Sequence, residues 1–121
     1  MAFTKRATTP QELCAAVWLL VDENLDYFSR IQKVIDPFET NVVYKLEPRA
    51  LNEFLNVRDM MARGYGDCED LAAWLIAYFL AIDIQARPVL VEQTSTYYHV
   101  IAEAFYDGKW VVIDPSKVKG M

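Results

Sequence analysis

The first third of the chain shows apolar residues at helical spacing, behind a clear helix start. Thr9 is a typical N-cap residue, Pro10 fits the first helical position and Glu12 completes a capping box. The apolar positions that follow recur with the period of a helix: Leu13, Ala16, Val17, Leu20 and Val21. The pattern predicts one helix from about Pro10 into the low twenties and a second over Leu25 to Val34.

The middle of the chain alternates between irregular and strongly helical patterns. Two prolines and the lack of a steady period predict an irregular segment over residues 36–48, and Arg49 to Arg63 is predicted to be helical until Gly64 and Gly66 break it. A new helix is predicted from Asp67 as N-cap, with a capping box to Asp70, to about Ala81. Its apolar stripe is so wide that we expect a central, largely buried helix.

The last third changes to an extended pattern. Residues 87–92, 97–106 and 109–114 are rich in β-branched and aromatic side chains, which is typical of strands. Asp107-Gly108 between the last two segments favours a tight type I′ hairpin turn, because that turn needs positive φ at both central residues. Helices followed by antiparallel strands predict an α+β fold.

The hairpin also predicts which residues of its two strands are neighbours. With a two-residue turn, Tyr106 faces Lys109 and Ile101 lies opposite Asp114. His99 is two residues from Ile101, so it shares that face of the ribbon. His99 and Asp114 are therefore predicted to be diagonal neighbours, close enough for an imidazole–carboxylate hydrogen bond.

Length and charge narrow the class of protein. The 121 residues, 54% of them hydrophobic, predict a single globular domain over residues 1–121. The net charge of −5 and the lack of a basic run argue against nucleic acid or an anionic membrane as partner. No signal peptide and no apolar stretch of membrane-spanning length is seen, so we expect a cytoplasmic protein with reduced cysteines.

Three residues form the candidate chemistry: Cys68 at a helix start, His99, which is the single histidine, and Asp114. Each alone has an ordinary structural explanation, and Cys14 is expected only to pack within its helix. Together they have the defined roles of nucleophile, base and orienting acid. A zinc site made by the same three residues is the less favoured alternative, since the spacing of the cysteine is not typical of a metal ligand.

The motifs GDCED, YHVIAEAF and DGKWVVIDPS, in this order, resemble the transglutaminase-like superfamily with its papain-like Cys-His-Asp arrangement. The short form ending in IDPS is similar to the transglutaminase-like cysteine proteases of bacteriophages and prophages, as is the upstream Asp36-Pro37-Phe38-Glu39 segment with Pro48. The resemblance covers about residues 36–121 and implies a papain-like core there, with residues 10–34 as additional N-terminal helices.

The resemblance implies Cys68 as nucleophile, His99 as base and Asp114 as orienting acid, with no cofactor and no metal. It implies a peptidase, deamidase or transglutaminase acting on a protein or peptide, in a bacterial host cytoplasm or a phage particle. The alternative is a phage assembly or interaction module without activity. A second oxyanion donor beside the Cys68 backbone N–H stays open among three side chains: Gln32, Asn41 and Tyr44.

Charge around the cysteine decides whether this chemistry is available. Asp67, Glu69 and Asp70 all disfavour a thiolate, which an imidazolium at His99 would have to outweigh. We expect Asp67 and Asp70 to point at backbone N–H groups and Glu69 to be solvated. Gly64 and Gly66 are expected to form a narrow turn through which a substrate backbone approaches the sulfur.

Overall fold

The computed structural model describes residues 3–4, 9–46, 54–92 and 97–121, in which short strands alternate with helices before a longer antiparallel sheet. The elements are β1 (Phe3–Thr4), α1 (Pro10–Ile31), a 3₁₀ turn (Pro37–Glu39), β2 (Val43–Tyr44), α2 (Val57–Arg63), β3 (Tyr65–Gly66), α3 (Cys68–Ala81), β4 (Ala86–Glu92), β5 (Tyr97–Tyr106), β6 (Lys109–Ile113) and α4 (Pro115–Val118).

β5 is the central strand of the larger sheet. It pairs antiparallel with β4 along most of its length, with β6 at its C-terminal end and with β1 at its N-terminal end. β2 and β3 form a separate parallel pair. The predicted α+β class is confirmed, because the long helices α1 and α3 precede the antiparallel strands β4, β5 and β6.

The hairpin between β5 and β6 has the predicted register. Tyr106 pairs with Lys109 and Ala102 with Ile113, and the turn residues Asp107 and Gly108 have φ of 53° and 77°. Both values lie in the left-handed region that a type I′ turn requires. The last strand is one residue shorter than predicted, because Asp114 leaves the sheet and caps α4.

α1 is one continuous helix, so the prediction of two separate helices over residues 10–34 is wrong. Thr9 caps it as expected, its Oγ1 accepting the Glu12 N–H, and the helix ends at Ile31 before Gln32 in the left-handed conformation. The polar residue that interrupts the apolar stripe, Asn24, is fully buried and its side-chain oxygen accepts the Val57 N–H at 2.9 Å. Asn24 is polar because it makes this tertiary hydrogen bond, and the helix continues through it to Ile31.

α2 is shorter than the helix predicted over Arg49 to Arg63. Residues 54–56 are not helical, since Asn56 is the N-cap and its side chain accepts the Asp59 N–H at 2.9 Å. The rest of the predicted range, residues 49–53, lies outside the described residues. The predicted C-terminal end is confirmed, with Arg63 as last residue and Gly64 at φ 86°.

α3 is the centre of the core, as its uniformly apolar sequence predicts. Its first ten residues are buried, and it packs against α1 on one side and against the sheet on the other. The buried side chains of β5 that join this core are Val100, Ala102 and Ala104. Among the described helices, none is long and apolar enough to span a bilayer.

Gly66 owes its small size to packing. Gly66 lies in β3, two residues before the start of α3, and a Cβ at this position would lie 2.4 Å from Met60 Sδ. Gly64 has a conformational reason instead, because it ends α2 with positive φ. The expected turn for substrate approach at these glycines therefore stays a prediction, while the structure gives each of them a local role in folding.

Candidate active site

Cys68 is the first residue of α3, and two aspartates fix the backbone around it. Asp67 Oδ1 accepts the Cys68 N–H at 2.7 Å, and Asp70 Oδ2 accepts the Asp67 N–H at 3.0 Å. Asp70 Oδ1 also accepts the Leu55 N–H at 2.8 Å. Both carboxylates point at backbone groups, which confirms the expected capping box.

The same contact changes the expected oxyanion site. We expected the Cys68 backbone N–H to donate to a developing oxyanion, but in the structure it donates to Asp67 at 2.7 Å. An oxyanion at this place would have to take that hydrogen from a buried carboxylate. The Cys68 N–H is thus part of the helix cap in this conformation.

Glu69 is completely buried, so the expectation that it is solvated is wrong. It occupies the first turn of a helix whose first ten residues are all buried, which leaves its side chain no path to water along the helix surface. Its Oε2 accepts a hydrogen bond from Cys68 Sγ at 3.5 Å. Burial, with a further contribution from Asp70, raises the pKa of Glu69 to about 8.

The Cys68 sulfur is also completely buried. Burial first, and Glu69 second, raise the pKa of the Cys68 thiol to about 12, against a smaller opposite effect of the Val100 backbone N–H that faces the sulfur. Cys68 is therefore a neutral thiol near pH 7 in this conformation.

His99 and Asp114 form a close pair across the hairpin, which confirms the predicted neighbourhood. His99 Nε2 lies 2.8 Å from Asp114 Oδ2, and both side chains are more than four-fifths buried. The other carboxylate oxygen, Asp114 Oδ1, accepts the Ser116 N–H at 3.1 Å. Because Asp114 is held at both oxygens, it fixes the imidazole ring, and a neutral ring that donates from Nε2 keeps Nδ1 as its basic nitrogen.

β5 packs against α3 and brings its backbone to the Cys68 sulfur. Val100, whose backbone N–H faces the Cys68 sulfur, directly follows His99 in β5. The hydrogen bonds between described residues link Cys68 Sγ to Glu69 and His99 to Asp114. The structure therefore holds Cys68 and Glu69 in one hydrogen-bonded pair and His99 and Asp114 in another, while the role of all three residues as one catalytic set stays a prediction.

Tyr44 is the one of the three candidate oxyanion donors that lies at this place. Burial, followed by the nearby Cys68, Glu69 and Asp114, raises the pKa of the Tyr44 phenol, which keeps its O–H group as a donor. Gln32 is exposed at the end of α1, and Asn41 is exposed beside a surface cleft.

Tyr44 is held by the C-terminal segment. Its backbone N–H donates to the Lys119 carbonyl at 2.9 Å. Lys119 Nζ in turn donates to the carbonyl oxygens of Pro37 and Thr40, both at 2.9 Å. The segment that carries Tyr44 is thus tied at several points to the residues that follow Asp114.

In the part of the chain that the structure describes, one group of side chains has the donor atoms of a metal site: Asp67, Cys68 and Glu69, whose ligand atoms lie within 4.8 Å of one another. These side chains already form other hydrogen bonds, because Asp67 accepts the Cys68 N–H in the helix cap and Glu69 accepts a hydrogen bond from the thiol. We assign no metal to them, and the absence of a metal or cofactor from the site stays a prediction.

A comparison with models of protein families identifies the family of this chain. A family model described as the transglutaminase-like superfamily matches residues 2–115. The chain belongs to the transglutaminase-like superfamily. The match includes α1, which the resemblance noted from the motifs had left outside. Comparisons of this transglutaminase-like protein with curated proteins and with solved structures find no match.

Sequence reasoning missed Glu69 as a buried partner of the cysteine in this transglutaminase-like protein. The available signal was its position in the first turn of a helix with almost no polar face. The choice of Tyr44 among three candidates had no local signal, because a contact with Lys119 far along the chain places it.

Proposed function

We propose that this transglutaminase-like protein is a cysteine-dependent amide hydrolase or acyltransferase that acts on a protein or peptide. Cys68 is the nucleophile, His99 the general base and acid, and Asp114 the residue that orients the imidazole. The observation that carries the proposal is the 2.8 Å hydrogen bond between His99 and Asp114. The residue that follows His99 in the strand is Val100, whose backbone N–H faces the Cys68 sulfur. The superfamily, whose fold is that of papain-like cysteine enzymes, supports the same reading.

The reaction proceeds through a thioester. The Cys68 proton passes to His99, the sulfur attacks the amide carbonyl carbon, and the Tyr44 O–H stabilises the oxyanion. His99 then gives its proton to the leaving amine as the C–N bond breaks, and a thioester remains on Cys68. Water resolves the thioester in a peptidase or deamidase, and an amine resolves it in a transglutaminase.

The burial of the sulfur adds a requirement to this mechanism. A carbonyl carbon has to come within bonding reach of Sγ, whereas Cys68 has no exposed surface in the structure. Substrate binding therefore has to be accompanied by movement that uncovers the sulfur, as is usual for sites that are closed in the resting state.

The same burial favours a second candidate function, an interaction or phage assembly module on this fold without activity. In this alternative the Cys68 thiol is a core side chain, and its pKa of about 12 is what a core thiol shows. For either function we propose a bacteriophage or prophage origin and a place in the bacterial cytoplasm or the phage particle. With a net charge of −5, the partner is a protein or peptide rather than nucleic acid or a membrane.

Trapping of the thioester tests the proposal. The full chain is incubated with a digest of bacterial proteins, with and without dansylcadaverine as amine acceptor, then quenched in acid and examined by mass spectrometry. We expect acyl adducts on Cys68 in the wild type and in Cys14→Ala, and their loss in Cys68→Ala and His99→Ala. A folded wild-type protein with no adduct on Cys68 and no dansyl transfer would favour the interaction module.

A further inference from the structure

Glu69 and Cys68 form a buried hydrogen-bonded pair that the proposed mechanism does not use. A glutamate in a first helical turn ordinarily reaches water, yet both side chains are completely buried, with Sγ and Oε2 3.5 Å apart. A carboxylate and a thiolate cannot both exist at this separation without water, because each charge is already costly to bury alone. The ionisation of one group therefore depends on the proton of the other.

The surroundings of the pair add to this dependence. Asp70, in α3, raises the pKa of Glu69. Glu69 and Cys68 in turn raise the pKa of the Tyr44 phenol in β2. Asp114, at the start of α4, acts on the same phenol, and its carboxylate is already engaged by His99 from β5. Asp70 thus faces Glu69 from the same helix, so a proton on Glu69 limits the repulsion between these two side chains.

We propose that Glu69 is a positioning residue of this site, whose proton must be present for the Cys68 sulfur to ionise. The inference rests on the proposed function of Cys68 as nucleophile. When the thiol proton leaves for His99, its electron pair stays on sulfur, and the Glu69 O–H turns to donate a hydrogen bond to that sulfur. When Glu69 itself has lost its proton, its charge opposes the thiolate instead.

The pH dependence of thiol modification tests this role. Full-length protein is treated with iodoacetamide between pH 6 and 9.5, a reaction in which an S–C bond forms and iodide leaves, and the rate at Cys68 is followed by mass spectrometry. An ordinary thiol reacts about tenfold faster per pH unit below its pKa. We expect the wild-type rate to level off as pH passes about 8, because Glu69 then loses its proton as fast as thiolate is gained.

Glu69→Gln keeps the shape of the side chain and cannot ionise. We expect its Cys68 rate to keep rising about tenfold per pH unit from pH 8 to 9. Glu23→Gln, a change at an exposed position of α1, is the matched control and should level off like the wild type. Parallel curves for wild type and Glu69→Gln through pH 9 would overturn the proposal.

If Glu69→Gln does not fold, carbon-13 NMR of the Glu69 carboxyl in the wild type measures the pH at which Glu69 loses its proton and so tests the proposal. We expect its proton to be lost near pH 8, and loss below pH 6 would overturn the proposal. Neither measurement needs a substrate, so a failure of the Glu69 role can be distinguished from a failure of the proposed function. A levelling wild-type rate without any acyl adduct on Cys68 defeats the proposed function alone, and acyl adducts with parallel curves defeat the role of Glu69 alone.

Discussion

At the residue scale, opposing influences act on the Cys68 sulfur. The Val100 N–H favours a thiolate, as a helix N-terminus does in general, while burial and the Glu69 carboxyl favour the thiol. A helix N-terminus contributes about 0.3–1 kcal/mol, which is small beside the cost of burying a charge. The resting protein therefore holds a thiol, and any thiolate has to be made when His99 takes the proton.

The two cysteines give a direct test of this resting state. A thiol of pKa about 12 is ionised in about one molecule in 100,000 at pH 7. Without substrate we expect iodoacetamide to modify the half-buried Cys14 at least about tenfold faster than Cys68, as measured by mass spectrometry. In guanidinium chloride the two rates should converge. Faster modification of Cys68 in the folded protein would contradict its burial as a neutral thiol.

Asp114→Asn separates the orientation of His99 from the folding of the hairpin end. The asparagine oxygen can still accept the Ser116 N–H, and Asn is a good N-cap, so we expect the free energy of unfolding to change by less than about 1 kcal/mol. The carboxylate that holds the His99 Nε2–H is lost, and we expect acyl adduct formation on Cys68 to slow by up to about 10,000-fold. Unchanged adduct formation in Asp114→Asn would remove Asp114 from the mechanism.

At the element scale, the site depends on how three elements are joined to α3. The parallel pair of β2 and β3 brings Tyr44 beside Gly66, two residues before Cys68. The hairpin of β5 and β6 supplies His99 and Asp114. Lys119 closes the arrangement, since its ammonium and its carbonyl group both bind the segment that carries Tyr44.

The two glycines before α3 predict different costs for the same substitution. Gly66→Ala places a Cβ 2.4 Å from Met60 Sδ, and we expect a loss of about 1–3 kcal/mol in the free energy of unfolding, measured with urea. Gly64→Ala meets no atom within 4 Å and adds only left-handed strain of about 1 kcal/mol, so it is the matched control. Equal losses in both variants would mean that Met60 moves aside freely.

At the scale of the whole molecule, the buried carboxyl group of Glu69 links stability to pH. Its pKa is about 8 in the folded chain and about 4.3 in an unfolded one, so the folded state binds the proton more tightly. The stability that this proton provides is complete below about pH 4.3 and is lost as pH rises to about 8.

Glu69→Gln removes this dependence. We expect its free energy of unfolding, relative to wild type, to increase from pH 4.5 to pH 8 by up to about 5 kcal/mol, as measured by urea denaturation at several pH values. The exposed change Glu23→Gln should show no such trend. A constant difference between Glu69→Gln and wild type across this range would mean that Glu69 ionises at its ordinary pH in the folded protein.

Local signals in the sequence determined much of this protein. The caps at Thr9 and Asp67, the end of α3 at Ala81 and the turn at Asp107-Gly108 all depend on residues within a few positions of one another. The hairpin turn fixed the strand register, and with it the neighbourhood of His99 and Asp114, because side chains alternate strictly along a strand. The motifs pointed to the superfamily for the same reason, since each is a short, continuous stretch.

Only the tertiary structure decided the features that rest on long-range contacts. The sequence predicted two helices where α1 is one, and the hydrogen bond of Asn24 to Val57 explains why a polar residue is buried inside α1. Glu69 looked solvated, and its burial follows from what packs around α3 rather than from its neighbours in sequence. The charge state of Cys68 depends on that burial, because the cost of an ion is set by everything that excludes water from it.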